Sequence, residues 1–263
     1  MEAEALNHLP ESWKDGLLGK TVVPVTAGMS GASVFRVTAA NGIEHYLKIG
    51  TGNAADLINR EVERTAWLAS AGIRVPTIVA RFATERVAAV AMTALGGQSA
   101  ERIGEADWRP GVAAIARAFR QLHALPLATC PFDETLVVRM ARAHDLVRAD
   151  AVDPADFYER NVGMTAKDLY HRLAASVPAH EDCVVTHGDA TFSNLIMGDD
   201  GQIGFVDCSH CGKADRYVDL ALLAGEIGDR LRPEACRAFV DAYGDLRWCE
   251  SKAEFYRDLY EFF

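Results

Sequence analysis

A short polar segment in the carboxy-terminal half carries residues whose types and spacing suit chemistry. Asp189 and Asn194 lie five positions apart, after the apolar run 183–186, which predicts a short buried strand. Thirteen positions after Asn194, a second apolar run, 203–206, leads to another carboxylate, Asp207. An Asp-Gly pair between the two runs favours a hairpin turn. We therefore expect a base-like carboxylate, an amide and a second carboxylate to converge at the ends of two adjacent strands.

These residue types are the ones that phosphoryl transfer from a metal–nucleotide complex requires. One carboxylate orients the acceptor hydroxyl and accepts its proton, while an amide oxygen and a second carboxylate hold the magnesium that bridges the phosphates. His187, Asp189 and Asn194 match the His-x-Asp-x4-Asn catalytic loop of the kinase fold. Gly188 stands where protein kinases carry arginine. The alternative interpretation is that Asp189 and Asn194 only form Asx turns at a strand end, but the downstream Asp207 favours the kinase pattern.

The amino-terminal part contains a second set of candidate residues in a strand-rich region. Strands are predicted at 22–25, 34–37, 45–49, 77–82 and 88–92. A Gly- and Ser-rich loop, 28–33, separates the first two, and glycine lets backbone N–H groups approach phosphates closely. Lys48 lies inside the third strand, where an ammonium is costly unless it meets an anion. We expect the loop and Lys48 to bind nucleotide phosphates; the alternative is an ordinary hairpin and a lysine whose stem reaches the surface.

A helix predicted at 59–70 carries a possible partner for this lysine. Glu61 lies in its first turn, thirteen residues after Lys48, and can pair with the ammonium and orient it. The alternative is a solvated glutamate that the helix dipole favours at this position. Arg64 is expected on the exposed face of the same helix.

From residue 99 onward, helical periodicity dominates the sequence. The break at 93–97 offers main-chain groups that adenine can hydrogen-bond. Asp153 with Pro154 predicts the start of a helix on which Asp156 and Glu159 share a face. Two such carboxylates suit a polyamine-like substrate, and an exposed acidic helix face is the alternative. Farther on, Asp219 lies among apolar residues and would need buried donors, which we expect the catalytic-loop backbone to supply.

Length and composition limit the class of protein. A chain of 263 residues with 49% hydrophobic content can form one large domain or two lobes with a sizeable core. The net charge of −10 argues against nucleic acid and is compatible with a cationic partner. The start is acidic, and no run approaches about 18 apolar residues, so we expect a soluble, cytoplasmic protein. The six cysteines form no disulfide pattern, and Cys208-x2-Cys211 lacks the second ligand pair of a zinc site.

Several segments resemble the bacterial aminoglycoside 3'-phosphotransferases, namely 128–132, 152–157, 184–189, 204–208, 214–217 and 261–263. The resemblance runs from about residue 25 to the last residue. It implies an α+β, protein-kinase-like two-lobed fold, with a small antiparallel-sheet nucleotide-binding lobe at 1–95 and a larger helical lobe at 96–263. The helical lobe would carry the catalytic loop and the aminoglycoside-binding site.

The resemblance also implies an activity and its site residues. ATP with Mg²⁺ would phosphorylate the 3'-hydroxyl of kanamycin- or neomycin-like antibiotics and confer resistance, with Asp189 orienting that hydroxyl. The partners would be the drug and the nucleotide, not nucleic acid or a membrane, and the protein would be a monomer or a homodimer. The nucleotide is assigned to Ser30, Gly31, Lys48, Glu61, Thr93 and Leu95, and magnesium to Asn194 and Asp207. The ammonium groups of the drug are assigned to Asp156, Glu159, Glu226, Glu261 and the carboxylate of Phe263.

The sequence departs from the family pattern at two places near the antibiotic side. The segment 209–212 lacks the arginine that usually follows the metal-binding aspartate, and His210 replaces it only in part. Gly225-Glu226 stands where relatives often carry Arg-Asp, so Glu226 is expected to keep the acid's role while its basic partner is lost. The alternative activity is therefore a related kinase acting on another antibiotic or an amino sugar. A catalytically silent nucleotide-binding module is disfavoured, since the lysine, both aspartates and the asparagine are all present.

Overall fold

The computed structural model describes residues 2–25, 31–106, 108–244 and 246–263. The chain divides into two compact units, one of residues Met1–Gly97 with Gly204–Ser209 and the other of residues Gln98–Ile203 with His210–Phe263. Each unit has its own core and contains some of the candidate site residues.

The first unit is built on an antiparallel sheet in the strand order β1-β2-β3-β5-β4. Its elements are α1 (Glu2–Ala5), α2 (Glu11–Asp15), β1 (Thr21–Val25), β2 (Ser33–Thr38), β3 (Glu44–Thr51), α3 (Asn53–Ser70), β4 (Ile78–Ala83) and β5 (Val87–Thr93). Phe35, Leu47 and Ile49 form a core on one side of the sheet. Ile58 and Val62 of α3 pack with β5 in a second core. The five strands expected in this part of the chain are all present.

The second unit is mainly helical. Its elements are β6 (Gln98–Ser99), α4 (Trp108–His123), α5 (Leu136–Arg148), α6 (Ala166–Ala175), β7 (Cys183–Thr186), β8 (Leu195–Met197), β9 (Ile203–Phe205, where the chain passes into the segment 204–209 of the first unit), β10 (Gly212–Asp215), α7 (Tyr217–Arg230), α8 (Pro233–Tyr243) and α9 (Glu250–Tyr260). Helix α4 packs against α8, and α7 packs against both α8 and α9. The antiparallel pair β7–β10 leads directly into the segment that begins at His187. The expected α+β class, with an antiparallel sheet followed by a helical part, is confirmed.

The prediction of a helix that begins at Asp153 is wrong. Asp153 does cap a turn, accepting a hydrogen bond from the N–H of Ala155 at 2.9 Å, but only two short 3₁₀ turns form, at Pro154–Asp156 and Glu159–Asn161. The chain between them is extended because Phe157 is buried in the core of the second unit. Asp156 and Glu159 are both exposed and do not share a helix face.

None of the helices in the part of the chain that the structure describes is long and apolar enough to cross a membrane.

Candidate active site

An ion-pair cluster around Lys48 is the centre of the first unit. Lys48, on β3, donates to both carboxylate oxygens of Glu61 on α3, at 2.7 and 2.9 Å, and to the carboxylate of Asp207. The side chains of Lys48 and Glu61 are only 13% and 5% exposed. Burial by itself would lower the pKa of Lys48, but the charges of Glu61 and Asp207 outweigh it and raise this pKa, so the amine stays an ammonium. The expected pair of Lys48 and Glu61 is present, and its role with a nucleotide stays a prediction.

The segment that carries Asp207 is held by a buried arginine. Asp207 has a φ of 57°, the left-handed region that only few residues other than glycine adopt. Arg64 of α3 donates to the main-chain oxygen of Ser209, and the N–H of Phe205 donates to Arg74 O at 2.8 Å. The expectation of an exposed Arg64 is wrong: it is 7% exposed, because the face of α3 that carries it packs on this segment. The Asp207 side chain itself is 47% exposed and accessible to a ligand.

The expected nucleotide loop is described only in part. Ser30 lies outside the described residues, while Gly31 has a φ of 68°, which a residue with a Cβ rarely adopts. At the expected adenine position, the N–H of Thr93 already donates to Thr77 O at 2.9 Å, and that of Ala94 to Glu44 O at 3.1 Å. The main-chain N–H groups of these two residues are therefore already paired within the unit.

The catalytic-loop pair is brought together in the second unit. Asn194 donates through Nδ2 to Asp189 Oδ2 at 2.8 Å and to the main-chain oxygen of Asp189 at 3.0 Å. The other carboxylate oxygen, Oδ1, accepts a hydrogen bond from the hydroxyl of Tyr260 at 2.6 Å. No sequence pattern pointed to Tyr260, which is 71 positions away from Asp189. Both oxygens of the candidate base are thus held by side chains of the same unit.

The backbone of the loop is braced by a buried carboxylate, as expected. Asp219 is 0% exposed and accepts hydrogen bonds from the N–H groups of His187 and Gly188, each at 2.8 Å. His123 Nε2 lies 3.0 Å from Asp219 Oδ2, and its Nδ1 lies 2.8 Å from the hydroxyl of Tyr243. Burial disfavours the charged carboxylate, yet these donors and the charges around it hold the pKa of Asp219 below its usual value. His123, interpreted from sequence as structural, belongs to this supporting network.

Position 188 requires glycine, because the main chain of His210 approaches it too closely for a Cβ atom. Its φ is 87°, and a Cβ at this position would lie 2.2 Å from His210 O and 2.8 Å from Arg139 Nη2. Arg139, a buried residue of α5, donates to Gly188 O at 3.2 Å. The chain thus supplies an arginine to the catalytic loop from a distant helix, where protein kinases carry it within the loop. Sequence reasoning missed Arg139, since an arginine in an amphipathic helix carries no distinguishing signal.

Replacing Gly188 with alanine should therefore unfold or strongly destabilise the protein. We expect a loss of unfolding free energy of about 3 kcal/mol or more, because the left-handed backbone costs about 1–2 kcal/mol and the clash adds to it. Gly201 is the matched control, with a φ of 73° and no atom within 4 Å of the position that a Cβ would occupy. Gly201→Ala should lose only about 1–2 kcal/mol. Urea denaturation of both variants measures the difference, and equal losses would contradict the close-approach argument.

Two of the acids expected to contact the substrate also hold the protein together. Glu226 Oε2 accepts the N–H of Phe192, within the catalytic loop, at 2.8 Å. Glu261 accepts the N–H of Tyr158 at 2.7 Å and a hydrogen bond from Asn161. Burial raises the pKa of Glu261 despite these donors. Position 225 is glycine, so the arginine that relatives often carry there is absent as expected, but Arg230 Nε, one helical turn farther along α7, lies 3.6 Å from the Glu226 carboxylate.

A cleft of about 380 Å³ lies next to this loop within the second unit. Its lining residues are Tyr158, Glu159, Arg160, Leu222, Gly225, Glu226, Asp229 and Arg257. Glu159 and Glu226 are therefore brought together with Asp229, a third carboxylate that the sequence did not single out. Asp156, Glu261 and Phe263 are not among the lining residues. The ring of Phe263 instead lies 5.6 Å from the guanidinium of Arg139 and 5.8 Å from that of Arg142.

An antiparallel sheet with a buried Lys–Glu pair, followed by a helical part with a braced His-Gly-Asp loop, is the architecture of a kinase-like phosphotransferase. The model of the phosphotransferase enzyme family matches residues 21–256. The chain belongs to this family and, within it, to the aminoglycoside phosphotransferases.

Known proteins similar to this chain include enzymes named as 3'-phosphotransferases and one named as a 3''-phosphotransferase. It is 35% identical over 249 residues to the aminoglycoside 3'-phosphotransferase of Streptomyces ribosidificus, covering 91% of this chain and 94% of that one. The crystal structure of an aminoglycoside-3'-phosphotransferase of type VIII superposes with a TM-score of 0.90 at 35% identity, over 100% of this chain and 99% of the other. Aminoglycoside phosphotransferase APH(3'')-Id from Streptomyces rimosus, in complex with ADP and streptomycin, gives a TM-score of 0.84 at 27% identity, over 100% and 98%.

Proposed function

We propose that this protein transfers the γ-phosphoryl group of ATP to the 3'-hydroxyl of kanamycin- or neomycin-type aminoglycosides and thereby confers resistance. The observation that carries the proposal is the link between the loop and the cleft. Glu226 lines the cleft, which carries three carboxylates and two arginines, and it also accepts a hydrogen bond from the loop of Asp189. The carboxylate of Asp189 is in turn fixed by Asn194 of that loop and by Tyr260 of α9. A cationic acceptor bound in the cleft would lie next to the loop that carries the candidate base.

The nucleotide would be bound by groups of the first unit. The ammonium of Lys48, oriented by Glu61, is suited to the α- and β-phosphates, and Ser30 and Gly31 would approach the β-phosphate through the loop. The main chain near Thr93 and Leu95 would bind adenine. We assign nucleotide binding to residues 1–95 and the acceptor and the catalytic loop to residues 96–263.

The residues present fit a magnesium ion. Asp207 offers a half-exposed carboxylate, and Asn194, which donates through Nδ2 to Asp189, has its amide oxygen for a cation. Oxygen ligands of this kind are the ones that Mg²⁺ prefers, with water and phosphate oxygens completing its coordination. When bound, the ion would neutralise charge on the phosphates.

Asp189 would orient the acceptor and take its proton. The 3'-hydroxyl oxygen attacks the γ-phosphorus in line, the bond to the β-phosphate oxygen breaks, ADP leaves, and the hydroxyl proton passes to the Asp189 carboxylate. Because the transition state of phosphoryl transfer is loose, the position of the carboxylate matters more than its basicity. The held carboxylate of Asp189 suits this role.

The acceptor would be recognised by charge. Ammonium groups of the drug would pair with Glu159, Glu226 and Asp229, which share the cleft with Arg160 and Arg257. Asp156, Glu261 and the carboxylate of Phe263 do not line the cleft and are the further candidates. The protein would act in the cytoplasm, where ATP is available, as a monomer or a homodimer.

ADP release by the purified protein with ATP and magnesium tests the assignment. We expect turnover with kanamycin and none with tobramycin, which lacks the 3'-hydroxyl, because the phosphoryl acceptor would be missing. Streptomycin is the third compound to test, since the similar structure from Streptomyces rimosus contains it. Turnover of streptomycin alone would move the reaction to the other regiochemical class. Turnover of none of the three would overturn the proposed substrate.

A further inference from the structure

The hydroxyl of Tyr260 contacts the reacting carboxylate directly. It donates to Asp189 Oδ1 at 2.6 Å, on the oxygen that Asn194 does not use. Each carboxylate oxygen has two lone pairs, so one donor on each oxygen still leaves a lone pair for an acceptor hydroxyl. The hydrogen bond from Tyr260 therefore leaves Asp189 with the capacity to accept a further hydrogen bond from an acceptor hydroxyl.

Tyr260 remains a proton donor over the working range of pH. Burial raises its pKa well above the ordinary value, and the negative charge of Asp189 raises it further. The hydroxyl thus keeps its proton, and its hydrogen bond to a carboxylate is of the stronger, charge-assisted kind.

The position of this hydroxyl is fixed by the packing of α9. Phe255, Tyr256 and Leu259 of the helix are buried in the core of the second unit. The next residue after Tyr260, Glu261, accepts a hydrogen bond from the N–H of Tyr158, a residue that lines the cleft beside the loop. The end of α9 thus contacts the candidate base through Tyr260 and the wall of the acceptor cleft through Glu261.

We propose that Tyr260 is a positioning residue of the phosphoryl transfer, acting with Asn194 to fix the rotation of the Asp189 carboxylate. The terminal torsion of an aspartate is broad, so a carboxylate held on one oxygen only samples more orientations. Two donors on opposite oxygens restrict it to the orientation in which the remaining lone pairs meet the acceptor hydroxyl. This role rests on the proposed function and names the residue that aligns its candidate base, Asp189.

Tyr260→Phe tests the role, with Tyr256→Phe as the matched control. Tyr256 lies one turn earlier on α9, and its buried hydroxyl has no hydrogen-bond partner among the described residues. With kanamycin and saturating ATP, we expect Tyr260→Phe to lower kcat about tenfold, the size of effect that about 1.4 kcal/mol of lost alignment produces. The KM values for drug and ATP should stay within about twofold, since neither is bound by this hydroxyl. Tyr256→Phe should leave all three constants unchanged.

A double variant distinguishes positioning from a general structural role. If Tyr260 acts through Asp189, Tyr260→Phe should cause no further loss in an Asp189→Asn background, measured with radiolabelled ATP. A kcat of Tyr260→Phe equal to that of the parent protein would overturn the proposal. A higher kcat would also overturn it and would mean that the hydroxyl competes with the acceptor for Asp189. An equal loss in both backgrounds would also overturn it.

Failure of the proposed function is recognised separately in the same assays. If the parent protein turns over none of the aminoglycosides, the substrate assignment fails. The comparison is then made on drug-independent ATP hydrolysis, in which water is the acceptor and the same carboxylate orients it. Tyr260→Phe is expected to lower that rate relative to Tyr256→Phe, and an unchanged rate would overturn the positioning role.

Discussion

Replacing Asp189 with asparagine should lower kcat by about 10³-fold or more, within or above the range that removal of a general base produces. The amide has nearly the same shape, and its oxygen can still accept the hydrogen bond from Tyr260. It cannot take the proton of the acceptor hydroxyl, and it carries no negative charge to orient that hydroxyl. Folding and ATP affinity should change little, because Lys48, which is assigned to the phosphates, belongs to the first unit and the main-chain oxygen of residue 189 still accepts the hydrogen bond from Asn194.

The measurement is ADP release with kanamycin, together with calorimetric titration of ATP. Asp199→Asn is the control, since Asp199 is an exposed aspartate of the turn that follows the same loop. It should retain full turnover. If Asp189→Asn kept more than about a tenth of the parent kcat, a loss far below that of a general base, Asp189 would not be the base. If it lost ATP binding as well, Asp189 would belong to the nucleotide site.

Replacing Lys48 with methionine should abolish most of the activity and destabilise the first unit. Removal of a preorganised charge from the phosphate site is expected to lower kcat/KM for ATP by about 10²-fold or more. Glu61, 5% exposed, and Asp207 would lose the ammonium that contacts both of them. Breaking such a buried pair costs about 3–5 kcal/mol, because one buried charge is left uncompensated.

A double variant separates the two effects. In Lys48→Met with Glu61→Gln, the buried charge is removed together with its partner, so most of the lost unfolding free energy should return while activity stays low. Urea denaturation and ATP kinetics measure the two quantities on the same samples. Recovery of activity together with stability would mean that Lys48 supports the fold only and does not act on the phosphates.

Local patterns in the sequence were sufficient for the strands of the first unit and for two of the contacts at the candidate site. Apolar alternation and turn residues encode the strands of the first unit, because each strand is recognisable from its own few residues. The Lys48–Glu61 pair followed from a strand and a helix close together in the chain. The bracing role of Asp219 followed from the cost of a buried carboxylate without donors.

Other local signals were overruled by packing. Asp153 and Pro154 are good helix-start residues, and Asp153 does cap a turn, yet the helix does not continue. Phe157 is buried in the core, and Asn161, 0% exposed, donates to Asp258 at 3.0 Å. Burial of these two side chains favours the extended link between two short turns over a continuous helix. The same competition placed Arg64 inside and not at the surface.

The sequence by itself thus determined the fold class, the loop in which Asp189 and Asn194 meet, and the lysine–glutamate pair. Only the tertiary structure decided which side chains support that loop: Tyr260 on Asp189, Arg139 on Gly188 and Glu226 on Phe192. The two residues of each pair are 71, 49 and 34 positions apart in the chain, in that order. No local period or turn preference relates residues at such separations. Their contacts depend on how α5, α7 and α9 pack, and packing is set by the summed burial of the whole core and not by any one segment.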